Sequence, residues 1–83
     1  YRRTPVFTND SIPKGLRSKH STKTGVWGII HVQSGHLRYR IHHPYHTETI
    51  LNPEHPGIVL PEVKHEVEPL DEVEFFVEFW GKI

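Results

Sequence analysis

A chain of 83 residues has room for one domain with a thin core, since a domain this short buries only about 60% of the surface its unfolded chain exposes. Its apolar residues are 8 Val, 7 Ile, 5 Leu and 9 aromatics, with no Ala and no Met, and 13 Gly and Pro interrupt the sequence, which argues against long helices and for an all-β domain. Formal net charge is zero and cysteine is absent, so disulfides and thiolate chemistry are excluded, and no run nears the roughly 20 apolar residues of a membrane span.

Residues 1–24 read as an extended arm that packs on the rest of a single domain spanning 1–83, with a short strand at Val6-Phe7 and turns at Asn9-Asp10-Ser11 and Ile12-Pro13-Lys14-Gly15. The opening Tyr1-Arg2-Arg3-Thr4 lacks the apolar run of a signal peptide, and a soluble, cytoplasmic protein is the expectation. Apolar runs from Val26 to Val32 and from Leu37 to Ile41 flank Gln33-Ser34-Gly35-His36, where Gly35 can supply the positive φ of a tight turn. The two runs are predicted to pair as a hairpin. In the second, Leu37, Tyr39 and Ile41 share one face and His36, Arg38, Arg40 and His42 the other.

His42-His43-Pro44-Tyr45-His46 is predicted as a loop, Thr47 to Leu51 as a strand, Asn52-Pro53-Glu54 as a turn and Gly57 to Leu60 as a short apolar strand. After Pro61 the alternation places Val63, His65 and Val67 on one face, so His65 points with the apolar residues. Pro69-Leu70-Asp71-Glu72 turns the chain into a last strand in which Val73, Phe75, Val77 and Phe79 alternate with Glu74, Phe76, Glu78 and Trp80. Strands recurring about every ten residues predict a largely antiparallel sandwich or small barrel.

Charge is divided along the chain. Residues 1–42 carry eight Lys and Arg against Asp10, and residues 43–83 carry Lys64 and Lys82 against nine acids, giving +7 and −7. Because the basic residues are not interleaved with stackable aromatics, the split is read as strands that pair across a sheet rather than as a nucleic-acid surface.

The string Lys19-His20-Ser21-Thr22-Lys23-Thr24-Gly25-Val26-Trp27-Gly28, followed by Pro61-Glu62-Val63-Lys64-His65 and the aromatic closing strand, resembles the TehB/YeaR-like family of small cupin-type domains associated with tellurite resistance. The resemblance runs over nearly the whole chain and implies a cupin-like double-stranded β-helix, a jelly-roll barrel. Members of that family stand alone or precede a methyltransferase domain. Gly57, Pro61 and His65 are similar to the second cupin motif, with Glu62 where a Gly is usual. The first motif is degenerate: its usual Glu falls on Gly28, and only His20 lies near its paired histidines.

Two sets of site residues follow. His20, Lys23 and Trp27 combine a proton donor, a cation and an aromatic wall that suit a small anionic ligand such as a tellurite-like oxyanion, with Trp27 as a core residue the alternative. His65, with His20 in a shifted register, would supply imidazoles for a divalent Zn, Ni, Fe or Mn ion, with Glu62, Glu66 or His31 as further ligands. His42, His43, His46 and His55 read as a solvated loop group. No Gly-rich strand-turn-helix is present for a nucleotide-like cofactor, and Ser11, Ser18, Ser21 and Ser34 lack a nucleophile elbow, so neither methyl transfer nor covalent catalysis is expected of this chain. The leading expectation is a non-enzymatic or weakly catalytic module that holds a ligand or oxyanion in its barrel through His20, Lys23, Trp27 and His65. The alternatives are a metal-dependent cupin enzyme and a homodimeric interaction module formed by sheet extension. Nucleic-acid and membrane partners are not expected.

Overall fold

Strands with one apolar face need a second layer to bury it, and this chain supplies both layers itself. In the computed structural model, which describes residues 2–17, 25–43 and 45–81, eight strands form two antiparallel sheets. They are β1 (Arg2–Arg3), β2 (Phe7–Thr8), β3 (Val26–Ser34), β4 (Leu37–His43), β5 (Thr47–Leu51), β6 (Gly57–Val59), β7 (Lys64–Pro69) and β8 (Glu74–Gly81). The larger sheet runs β1-β8-β3-β6, with β2 also paired to β8, and the smaller runs β5-β4-β7. One 3-10 turn, Lys14–Arg17, lies against β7.

Alternation places the core. Ile30 and Val32 of β3 and Phe75 and Val77 of β8 face inward from the large sheet, and Leu37 and Tyr39 of β4 and Val67 of β7 face them from the small one. Phe7 adds an edge-on contact to Phe75 at 5.5 Å between ring centroids. The all-β, largely antiparallel expectation is therefore met, in the form of two stacked sheets with no hydrogen-bonded closure into a barrel among the described residues.

The hairpin expectation is corrected. β3 pairs with β6 and β8, β4 pairs with β5 and β7, and the two strands lie in different sheets. The turn between them does contain a positive φ, +80° at Gly35, but it carries the chain across the sandwich instead of folding it back. Asp71 explains the difference. Its carboxylate accepts the His36 backbone N–H at 2.7 Å and bonds the His36 ring at 2.8 Å, while the Leu70 N–H donates to the His36 carbonyl at 3.0 Å. Residues 70–73 are themselves a crossing from the small sheet to the large one, so two crossings are bonded side by side. Asn9 of the arm fastens the same place, donating to the Asp71 carbonyl and accepting from the Val73 N–H, both at 2.8 Å. The arm joins the large sheet directly, with β1 and β2 both on β8.

Opposite charges meet on the outer face of the small sheet. Arg40 bonds Glu48 at 2.9 Å on β5 and lies 3.7 Å from Glu66 on β7, and Arg38 bonds Glu68 at 2.8 Å. The basic residues of β4 are thus flanked by acids from both neighbours, as cross-strand pairing requires.

Two outcomes test the corner. A Cβ at residue 35 would stand 2.0 Å from the Glu72 carbonyl oxygen on top of the positive φ, so Gly35→Ala is expected to cost about 2 to 4 kcal/mol in urea unfolding, and a loss under about 1 kcal/mol would contradict this packing. The hydrogen bonds from His36 hold the Asp71 carboxyl below its ordinary range, so its contribution is present above the unfolded value near 3.9 and fades as pH falls through the lower folded value. Asp71→Asn should therefore be less stable than the parent at pH 6, with the gap narrowing below about pH 4.

Candidate functional site around His65

The turn that precedes β7 sets the site. Val63 donates its N–H to the Leu60 carbonyl at 3.4 Å, with Pro61 and Glu62 as the central residues and φ at Glu62 of +61°. Pro followed by a left-handed residue is the pattern of a type II turn, in which Gly is favoured at the second central position. Beyond it, Val63, His65 and Val67 turn inward and Lys64, Glu66 and Glu68 outward.

His65 is 3% exposed and is the one buried polar or charged residue among those described. Its Nδ1 lies 2.9 Å from the Val63 carbonyl oxygen. A carbonyl only accepts, so Nδ1 carries the proton, and in the neutral ring the lone pair sits on Nε2. Tyr39 meets the imidazole edge-on, with centroids 5.8 Å apart, and donates its hydroxyl to the Ile58 carbonyl at 2.9 Å. Burial, with a smaller contribution from Tyr45, pushes the Tyr39 phenol up to about 12, so it remains a donor throughout the neutral range. Beside His65 is a cavity of about 20 Å³ walled by Leu16, Ile30, Val59, Val67, Phe75 and Phe79. That is room for about one water molecule.

The expected site residues separate. His65 faces the interior from the small sheet. Trp27 lies on the outer face of the large sheet, where its ring stacks on Trp80 with centroids 5.9 Å apart and planes 16° from parallel, and it does not line the cavity. His20 and Lys23 lie outside the described residues. Of the supplementary ligands considered, Glu66 points outward and bonds His42, Glu62 is exposed in the turn, and His31 pairs with Glu78 at 3.2 Å on the outside of the large sheet. The expected loop group is corrected: His42 and His43 end β4, where His42 meets His46 edge-on, whereas His55 bonds the Asn52 side chain at 3.2 Å. No three His, Asp or Glu side chains gather to hold a metal ion among the described residues. Tyr39 is the neighbour of His65 that sequence reasoning did not single out, although its alternation with Leu37 already marked it as inward.

Residues 2–77 match the model of a family described as the TehB-like domain. The chain is 36% identical over 87 residues to the probable S-adenosyl-L-methionine-dependent methyltransferase TehB of Haemophilus influenzae strain KW20/Rd, and 34% identical to that of strain 10810. Each match covers 99% of this chain and 30% of the relative, so the chain spans under a third of the length of these proteins. The crystal structure of TehB from H. influenzae superposes with a TM-score of 0.90 at 34% identity, covering 99% of this chain and 30% of that one. A protein of Escherichia coli K12 shares the fold with a TM-score of 0.83 at 22% identity, covering 95% of this chain and 85% of that one. No helix among the described residues is long and apolar enough to cross a membrane.

Glu62 holds a conformation that side chains disfavour, in the turn that sets His65. Glu62→Gly should raise stability by about 0.5 to 1 kcal/mol, the relief of a left-handed residue less the extra freedom of glycine in the unfolded chain. A measured loss of stability by chemical denaturation would contradict strain at this position.

Proposed function

Because the chain belongs to the TehB-like domain family, we propose that it is a small binding module serving resistance to tellurite or related oxyanions, with its ligand held between the two sheets against His65. The strand order supports reading the fold as a cupin-type jelly roll. β8-β3-β6 stacks over β7-β4-β5, so successive strands from β3 onward change sheets at every step except the β4–β5 hairpin.

One observation carries the proposal: a lone buried imidazole, with its tautomer set by the Val63 carbonyl, in a wall that is otherwise apolar. A polar ring is harder to bury than the aliphatic residues around it, and an aliphatic side chain would fill the same space, which points to a use for the ring nitrogens. A dianion at this wall needs positive charge beyond one imidazole and more room than the one-water cavity gives, so the Lys14–Arg17 turn over it has to move aside on binding. His20 and Lys23 are the residues proposed to supply that charge, since they follow the Lys14–Arg17 turn whose Leu16 borders the cavity.

A metal-dependent site fits the described residues less well, because a divalent ion here would have His65 alone as a protein ligand, and no reaction step is assigned to one. The methyltransferase name belongs to relatives of which this chain spans 30%, and the described fold contains no strand-loop-helix unit for a nucleotide-like cofactor.

The test follows the His65 ring by NMR while sodium tellurite is added. The expected result is a saturable shift of the ring resonances, together with binding weakened at least about tenfold in His65→Phe, which keeps the volume and removes the nitrogens. Thermal melting of the variant confirms that it is folded. Unmoved His65 resonances, or an unchanged affinity in the folded variant, would overturn the proposal.

A further inference from the structure

An antiparallel sheet that meets water on its outer side carries polar residues there, and the small sheet does so with Arg38, Arg40, Glu48, Glu66 and Glu68. The large sheet mixes a few polar side chains with aromatic and aliphatic ones. Its outward positions begin with Trp27 opposite Trp80, two register partners that stack on each other and are each 38% exposed. The next rung sets Ile29 between Ile58, 50% exposed on β6, and Glu78 on β8. On the rung beyond, His31 stacks on Phe76 with centroids 4.9 Å apart, and the Arg3 guanidinium sits 4.8 Å from the centre of the same ring. Exposed apolar surface that is contiguous across several strands marks an interaction site more often than chance exposure.

We propose that this face is where a second copy of the chain docks, two large sheets packing outer face to outer face about a two-fold axis with Trp27, Ile29, Ile58 and Trp80 at the centre. The interface differs from extension of a sheet edge and does not use the His65 interior, so it stands apart from the ligand-binding proposal. Three features favour a second copy as the occupant.

The first is area. The eight residues of β8, nine of β3, three of β6 and two each of β1 and β2, rising about 3.4 Å per residue on strands about 4.8 Å apart, give a flat footprint of roughly 400 Å², and protruding indoles and branched side chains raise the accessible area above that figure. A standard interface takes about 600 to 1,000 Å² from each partner, so the whole face, side chains included, is needed to reach the lower end of that range and form a small dimer.

The second feature is charge. The face carries both signs, Arg3 beside Glu78 with Glu74 further along β8, and the chain as a whole has a formal net charge of zero, so two copies approach without long-range repulsion. A nucleic acid or a strongly charged peptide would call for an excess of one sign, which this face lacks. The third is chemistry: tryptophan is the residue type that contributes most per contact at the centre of interfaces, and both tryptophans of the chain are here.

The experiment is sedimentation equilibrium over the micromolar range, read beside tryptophan fluorescence. The mass is expected to rise with concentration from 9.7 kDa toward twice that value, and tryptophan emission to shift to the blue with the same midpoint, because the only two tryptophans lie in the interface. Ile58→Lys and Trp80→Lys should each raise the dissociation constant by about 100-fold. Ile50→Lys, an equivalent change at a 42% exposed isoleucine on the outer face of the small sheet, should leave it unchanged. Circular dichroism confirms that each variant is folded. A monomer at every concentration, a dimer indifferent to both Ile58→Lys and Trp80→Lys, a dimer broken equally by Ile50→Lys, or a mass change without a shift in emission would each overturn the proposal.

Discussion

The carboxylate of Asp71 bonds the backbone N–H and the ring of His36, and through those contacts two chain crossings, 34–37 outward from the large sheet and 69–74 back into it, are held against each other at one end of the sandwich. Each crossing is a short segment with one residue in the core, Leu37 in the first and Val73 in the second. Joined, they fix where β4 starts and where β8 starts, and so the register in which the inward faces of the two sheets meet. The space beside Gly35 is filled by the backbone of Glu72, so a side chain there would push the crossings apart. Asn9 adds the arm to the same junction and leaves β1 and β2 aligned along β8.

Once that end is fixed, the two outer faces follow different rules. On the small sheet part of the charge split is used for pairing, because β4 brings Arg38 and Arg40 from the basic half and both its neighbours come from the acidic one. Cross-strand pairs of this exposed kind contribute modestly one by one, but like charges opposite each other would be unfavourable, and the arrangement selects β5-β4-β7 over other orders. The large sheet has no comparable set of ion pairs among its described residues. His31 with Glu78 is its one described pair, and aromatic stacking of Trp27 on Trp80 and His31 on Phe76 takes the remaining rungs.

Much of this was legible from alternation. The inward set of β4 (Leu37, Tyr39), of Val63 and β7 (His65, Val67) and of Val73 and β8 (Phe75, Val77) each follows from a period of two, and so does the interior position of His65. The failed hairpin shows what local pattern omits. Gly35 announces a turn, yet which strands pair beyond it depends on Asp71, 35 residues away from His36. Trp27 was ambiguous for another reason: in Val26 to Val32 both parities are apolar, so the phase of β3 is undetermined until β8 and β6 lie beside it. The site is legible only in part, since His65 is placed by its own strand whereas Tyr39 reaches it from a different one.

A core this thin sharpens the meaning of that placement. Among the described residues twelve apolar side chains are buried with a single imidazole, and in so small an interior every position counts toward the burial that holds the sheets together. Histidine at one of them reduces that burial and brings a desolvation cost, against which the bond from Nδ1 to the Val63 carbonyl acts. The same bond fixes the ring within the first residues of β7, directly after a turn whose Glu62 already departs from a relaxed backbone. Two unfavourable local choices therefore stand within four residues of each other, in a domain whose remaining interior follows the rules of stability closely. Such departures concentrate where a fold is put to use, and here they converge on the imidazole that faces the cavity.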